Sequence, residues 1–276
     1  MNKKKTNFFS RLFNRAAETY KGDIIPRRTR WLYPISGLGR DAVYAIVATF
    51  LLIFVQEAGY LNTGAAEYAM QFGVITGLII AYRIFDAIND PLMGVIIEKI
   101  HFRTGKFKPW IVLGALTNSI TVLALFGAPA LFSWCRGWGF VGWFAVFYLL
   151  WGVTFTINDV SFCSMLPSLS QNEQQRTKIC ATLMIFENLG SFTVGLFIPM
   201  LSVPEKLGSN AYWISALIVC ALFIIGQTLI YFICPEKERN LKEEAKVERP
   251  KFSDMFKIVR DNKLGRLMVI VGVLWF

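Results

Sequence analysis

A chain of 276 residues with 54% hydrophobic and only 17% charged side chains is too apolar for a soluble globular domain, in which about 25% are charged. The net charge of +10 could suit nucleic acid, but the basic residues gather in loops between long uncharged stretches, which argues against a nucleic-acid partner. Five scattered cysteines and one histidine, His101 in a basic loop, suggest no disulfide framework, zinc site or histidine triad, and no cofactor is expected.

In chain order, residues 1–33 are a basic segment, polar rather than leader-like. Apolar stretches then fall at 34–56, 72–97, 109–130, 139–165, 179–201 and 211–233. Each is long enough to cross a bilayer as a helix, which takes about 20 residues. Residues 234–266 mix ten basic with seven acidic side chains and read as a charged linker. A seventh apolar stretch occupies 267–276, too short to span, so the chain is expected to be part of a longer protein and to stop inside a seventh helix. Of the 29 basic residues, 25 fall on one side of the six stretches, in 1–33, around 99–108, at Arg176 and Lys178, and in 234–266. The opposite loops hold only Arg136 and Lys206. Lys and Arg favour the cytoplasmic side, so the N-terminus and the linker are expected there. The fold class implied is all-α membrane protein: an N-terminal six-helix bundle plus the start of a seventh helix.

Ionisable groups inside such helices are costly unless paired or wet, so each is a functional candidate. The second stretch reads RIFDAINDPLMG over 83–94. Asp86, Asn89 and Asp90 share one helical face, Arg83 sits a turn earlier, and Pro91 is expected to bend the helix. The fourth stretch reads WGVTFTINDVSFCS over 151–164 and puts Thr156 and Asp159 on one face. The first carries Arg40 and Asp41, and the fifth carries Glu187 and Asn188. Two carboxylates, an amide oxygen and a hydroxyl are hard ligands that suit an alkali cation. The alternative is an internal ion-pair lock of Arg83 with Asp86 or Asp90. Residues 37–42 also fit a dinucleotide-binding glycine pattern, but no strand precedes them, and close helix packing explains the glycines better.

The blocks at 83–94, 105–119 (GKFKPWIVLGALTNS) and 151–167 (WGVTFTINDVSFCSMLP) resemble the glycoside–pentoside–hexuronide:cation symporters of the major facilitator superfamily. The resemblance runs from about residue 37 to 233. It implies two three-helix repeats in each half of the protein, and symport of a sugar or glycoside with sodium, lithium or a proton. It implies a cation (sodium) site of Asp86, Asn89, Asp90 and Thr156, and a sugar site of Arg40, Asp41 and Asp159. It also implies a cytoplasmic gate loop at Arg103, Gly105, Lys106 and Lys108, whose charges could equally be plain cytoplasmic-side charges. In a bacterial permease of this family, a tryptophan stands where this chain has Cys163, and an arginine where it has Leu183; Glu98 stands where the family usually has an aspartate. Glu187, one turn from Leu183, is expected to join the substrate site. The implied partners are the lipid bilayer, a small sugar or glycoside, and a C-terminal helix bundle; the implied location is a bacterial-type cytoplasmic membrane. A sodium-coupled lysolipid transporter and a non-transporting sugar sensor stand as alternatives. A membrane enzyme is not expected, although Asp41 and Asp159 could pose as a glycosidase pair.

Overall fold

The computed structural model describes residues 25–234, except 101, 103, 133, 171, 204–206 and 209. His101, Arg103 and Lys206, the basic segment before residue 25, the linker beyond Cys234 and the seventh apolar stretch lie outside the described residues. The described chain is helical, with one isolated bridge between Phe102 and Gly105. The helices are α1 (Arg27–Glu57), α2 (Ala65–Lys99), α3 (Lys108–Leu131), α4 (Trp138–Leu169), α5 (Glu173–Leu201) and α6 (Asn210–Ile233). All six are long and apolar enough to cross a membrane.

Three helix starts differ from the sequence reading; α2 begins at Ala65 rather than residue 72. Helix α1 starts at Arg27 rather than residue 34, so the basic segment ends earlier than expected and Pro34 lies inside the helix. Arg27, Arg28 and Arg30 depress the local hydropathy without breaking the helix, because arginine is a good helix former. Helix α5 starts at Glu173 rather than residue 179. Its cap is Asn172, whose Oδ1 accepts the backbone N–H of Gln174 at 3.0 Å and of Gln175 at 3.4 Å. Both helices outrun the apolar core: 31 residues of α1 rise about 46 Å, against a core of about 30 Å. The Gln175 side chain then accepts the N–H of Ile25 at 2.9 Å, which ties the entry of α1 to the first turn of α5. Helix α2 continues through Pro91 to Lys99.

The packing has an internal symmetry. Helix α1 packs mainly on α5 and α6, α4 packs mainly on α2 and α3, and α3 packs on α6. Exchanging α1 with α4, α2 with α5 and α3 with α6 returns the same set of pairs. That is the pattern of two related three-helix repeats. Within it, α2 and α4 run parallel, since Tyr82 bonds the carbonyl of Ala145 and Asp86 lies against Gly152. Helices α1 and α5 also run parallel, with Gly37 against Leu183 and Asp41 beside Ser191.

Glycines set the closest crossings, as small residues do between membrane helices. A Cβ on Gly39 would come 2.8 Å from the backbone of Phe223 on α6, and one on Gly114 would come 2.6 Å from the backbone of Asn158 on α4. A Cβ on Gly190 of α5 would sit 2.2 Å from the Leu38 carbonyl oxygen on α1. Backbone cannot yield as a flexible side chain can. Gly190→Ala should therefore destabilise the bundle by about 1–3 kcal/mol and lower the melting temperature of the purified protein. Gly142→Ala, where nothing lies within 4 Å, should leave it unchanged. Wild-type melting of Gly190→Ala would contradict this crossing.

The apolar core fills the space between these crossings. Phe54, Phe126, Phe140, Phe144 and Tyr212 pack at one end, and Tyr33, Phe162 and Met165 at the other. Arg40, Asp159 and Glu187 lie along their helices between residues of the two clusters.

Candidate functional site

Arg40 is the hub of the first constellation. Its α1 position faces both α4 and α5. Nη1 donates to Asp159 Oδ1 at 2.6 Å, and Nη2 donates to Asp41 Oδ1 at 3.2 Å and to Glu187 Oε1. Its guanidinium carbon lies 4.8 Å from the centroid of the Phe162 ring, a cation–π distance. That ring stacks on Tyr33, whose hydroxyl donates to the Phe162 carbonyl at 2.5 Å. The arginine side chain is 8% exposed and Glu187 14%, while Asp41 and Asp159 reach 28% and 41%. Glu187 thus backs the arginine from within the bundle, and Asp41 and Asp159 are the more exposed of the three carboxylates.

All four residues assigned to the substrate come together, although they lie on three helices. Gly37 makes the α1–α5 approach possible: a Cβ there would come 2.5 Å from Leu183 Cδ1 and 3.1 Å from Glu187 Cγ. Leu183 is buried as packing at this crossing. Cys163 lies beside the hub, its Sγ 3.9 Å from Arg40 Nη1. Asn188 turns away and donates to the Met184 carbonyl of its own helix.

The second constellation lies between α2 and α4. Thr156 Oγ1 donates to Asp90 Oδ1 at 2.9 Å. One turn earlier on both helices, the Asp86 carboxylate lies against Gly152, where a Cβ would come 2.9 Å from Oδ1. Asn89 is buried next to Asp90, and its Nδ2 has no hydrogen-bond partner among the described residues. Met93 and Ile97 continue along α2 and pack against Ile157 and Val160 of α4. Arg83 interacts with Tyr44 of α1 as well as with Asp86 on its own helix. Tyr44 in turn packs on Trp151 and Phe155, with ring centroids 5.9 and 5.1 Å away. Two carboxylates with a hydroxyl between the helices form a hard, anionic oxygen set, suited to an alkali cation or a proton. Helix α4 joins the two constellations, because Thr156 and Asp159 lie one turn apart on it.

Gly152 and Tyr44 were not singled out from the sequence. The signal for Gly152 is an internal repeat. Ile84-Phe85-Asp86 on α2 recurs as Ile185-Phe186-Glu187 on α5, and each acidic residue faces a glycine of the partner helix, Gly152 or Gly37.

The expected gate loop lies between α2 and α3. Gly105 has φ +136°, a conformation that favours glycine, where the chain reverses beside Phe102. Lys106 lies 5.4 Å from the Phe107 ring, and Lys108 is buried at the start of α3.

Residues 32–276 match the family described as MFS/sugar transport protein. Among curated proteins the chain is similar to the lactose permease of Lactobacillus delbrueckii subsp. bulgaricus, 28% identical over 90% of this chain and 39% of the relative. It is similar to the lactose permease of Lactobacillus helveticus, 27% identical over 77% of this chain and 34% of the relative. It is also similar to the raffinose carrier protein of Pediococcus pentosaceus, 29% identical over 71% of this chain and 32% of the relative. The chain therefore spans between 32% and 39% of the length of these relatives.

Proposed function

The chain belongs to the MFS/sugar transport protein family, and from that premise we propose that it forms one of the two helix bundles of a cation-coupled sugar or glycoside symporter working by alternating access. The family is one of membrane transporters, not enzymes. The observation that carries the proposal is the pair of constellations joined by α4. One offers hard oxygens from Asp86, Asn89, Asp90 and Thr156 to sodium, or to lithium or a proton. The other offers Asp41 and Asp159 as acceptors for sugar hydroxyls, around an arginine held by Glu187. Transporters of this plan place substrate and ion between two bundles that rock around them.

The exposed sides of α2 and α5 support the two-bundle reading. These symmetry mates leave Ile80, Ile84, Ile185, Phe192 and Phe197 uncovered, and Gly73 and Gly77 of α2 face open space at GxxxG spacing. In this reading Gly105, Lys106 and Lys108, with Arg103, belong to a cytoplasmic gate. The lysolipid reading calls for a greasier site than one built from four ionisable side chains, and the sensor reading calls for binding without uptake.

Counterflow uptake by the full-length protein in vesicles tests the function, with a panel of glycosides in the presence and absence of sodium. Saturable exchange of at least one glycoside is expected. Exchange of lysophospholipid alone would favour the lipid reading, and binding without exchange the sensor.

We also propose a cytoplasmic N-terminus in a bacterial-type plasma membrane, supported by the Lys and Arg asymmetry. Single cysteines at Thr63 and Ser253, in a background lacking the native ones, should show it. An impermeant reagent is expected to label Thr63→Cys but not Ser253→Cys in intact cells; the reverse pattern would invert the topology.

A further inference from the structure

The charge balance around Arg40 bears on which substrates the site admits. The cluster contains one cation and three carboxylates, a formal charge of −2. Both terminal nitrogens of the guanidinium are engaged, Nη1 by Asp159 at 2.6 Å and Nη2 by Asp41 at 3.2 Å and by Glu187. The arginine is buried behind these partners, so an incoming carboxylate would have to displace one of them to reach it. It would also meet the more open carboxylates of Asp41 and Asp159 first. A neutral sugar meets no such penalty, since its hydroxyls donate to the same oxygens. An ammonium group gains from the excess charge.

We propose that Glu187 sets the charge class of the substrate: it engages Arg40 and adds the second excess negative charge, so that the site accepts neutral and amino-substituted glycosides and rejects uronides. This rests on the reading of the chain as part of a sugar transporter. Glu187 acts as a positioning residue, through Arg40 and through its field, because its carboxylate is mostly covered. The repeated Ile-Phe-acid motif gives the position an independent marker. It places Glu187 on α5 where Asp86 stands on α2, each against a glycine of the neighbouring helix.

The test is competition for counterflow by the full-length protein in vesicles. The competitors are 4-nitrophenyl β-glucopyranoside and β-galactopyranoside, their 6-carboxylate uronides and their 6-amino-6-deoxy analogues. In the wild type the uronide is expected to compete about 100-fold less well than its neutral parent, with the amino sugar at least equal to the parent. Glu187→Gln should narrow the uronide gap about tenfold or more. Glu187→Asp, which keeps the charge, should preserve it. That contrast separates a charge effect from loss of packing, which would weaken all three competitors together. A wild-type uronide that competes as well as its parent overturns the proposal, and so does a gap unchanged in a folded Glu187→Gln protein. Absence of counterflow for every glycoside of the panel would instead sink the sugar-transport reading, and this inference with it.

Discussion

Arg40→Gln is expected to abolish glycoside binding and to lower the melting temperature of the full-length protein more than any other single change at the site. The substitution removes the only cation from a cluster of three carboxylates. Breaking one side of a buried ion pair typically costs about 3–5 kcal/mol, because the remaining charges are left uncompensated. Asp159 is half open to water, so screening reduces its share, and most of the effect comes from Glu187 and Asp41. The same reasoning gives a rescue. Glu187→Gln in the Arg40→Gln background removes a stranded charge and should recover part of the melting temperature. Neighbours in one network typically couple by about 0.5–3 kcal/mol. Binding should not return, since the site still lacks its hub. Scanning fluorimetry of the two single variants and the double variant checks this. Additive losses would mean that Arg40 and Glu187 do not act together.

Asp90→Cys is expected to separate the ion from the sugar. Asp90 takes the Thr156 hydroxyl at 2.9 Å, and its substitution removes one charged oxygen from the set between α2 and α4. The contacts around Arg40 are made by other side chains. The variant should therefore bind sugar weakly and with no sodium dependence, whereas Asp159→Asn should weaken sugar binding at every sodium concentration. Calorimetric titration of each purified full-length variant over a sodium series and a pH series gives the answer. A wild-type sodium response in Asp90→Cys would place the ion elsewhere.

What could be read from the sequence follows the range of the interactions. The grouping of Asp86, Asn89 and Asp90 is a matter of helical spacing, and so is the pairing of Thr156 with Asp159 on one face. Six membrane helices followed from apolar length. The grouping of Arg40 with Asp159 and Glu187 came only through the family resemblance, because the partners lie 119 and 147 residues away and depend on how three helices pack. The starts of α1 and α5 were missed for another reason. Their first turns are polar and extend past the apolar core, where hydropathy carries no helix signal, and the evidence for helix there is a capping residue and good helix formers. A lock of Arg83 on the aspartates stood as the alternative because they share its helix. The contact of Arg83 with Tyr44 crosses to α1, and no local pattern announces it.

The central claim is that the oxygens between α2 and α4 and the carboxylates around Arg40 form two coupled sites. Coupling of this kind is reciprocal. The most direct measurement is the glycoside dissociation constant of the wild-type full-length protein across a sodium series, set beside its sodium dissociation constant across a glycoside series. The account predicts that each ligand tightens the other by the same factor, within the usual range of about 5–150-fold. Glycoside affinity that stays flat across both sodium and pH would contradict it.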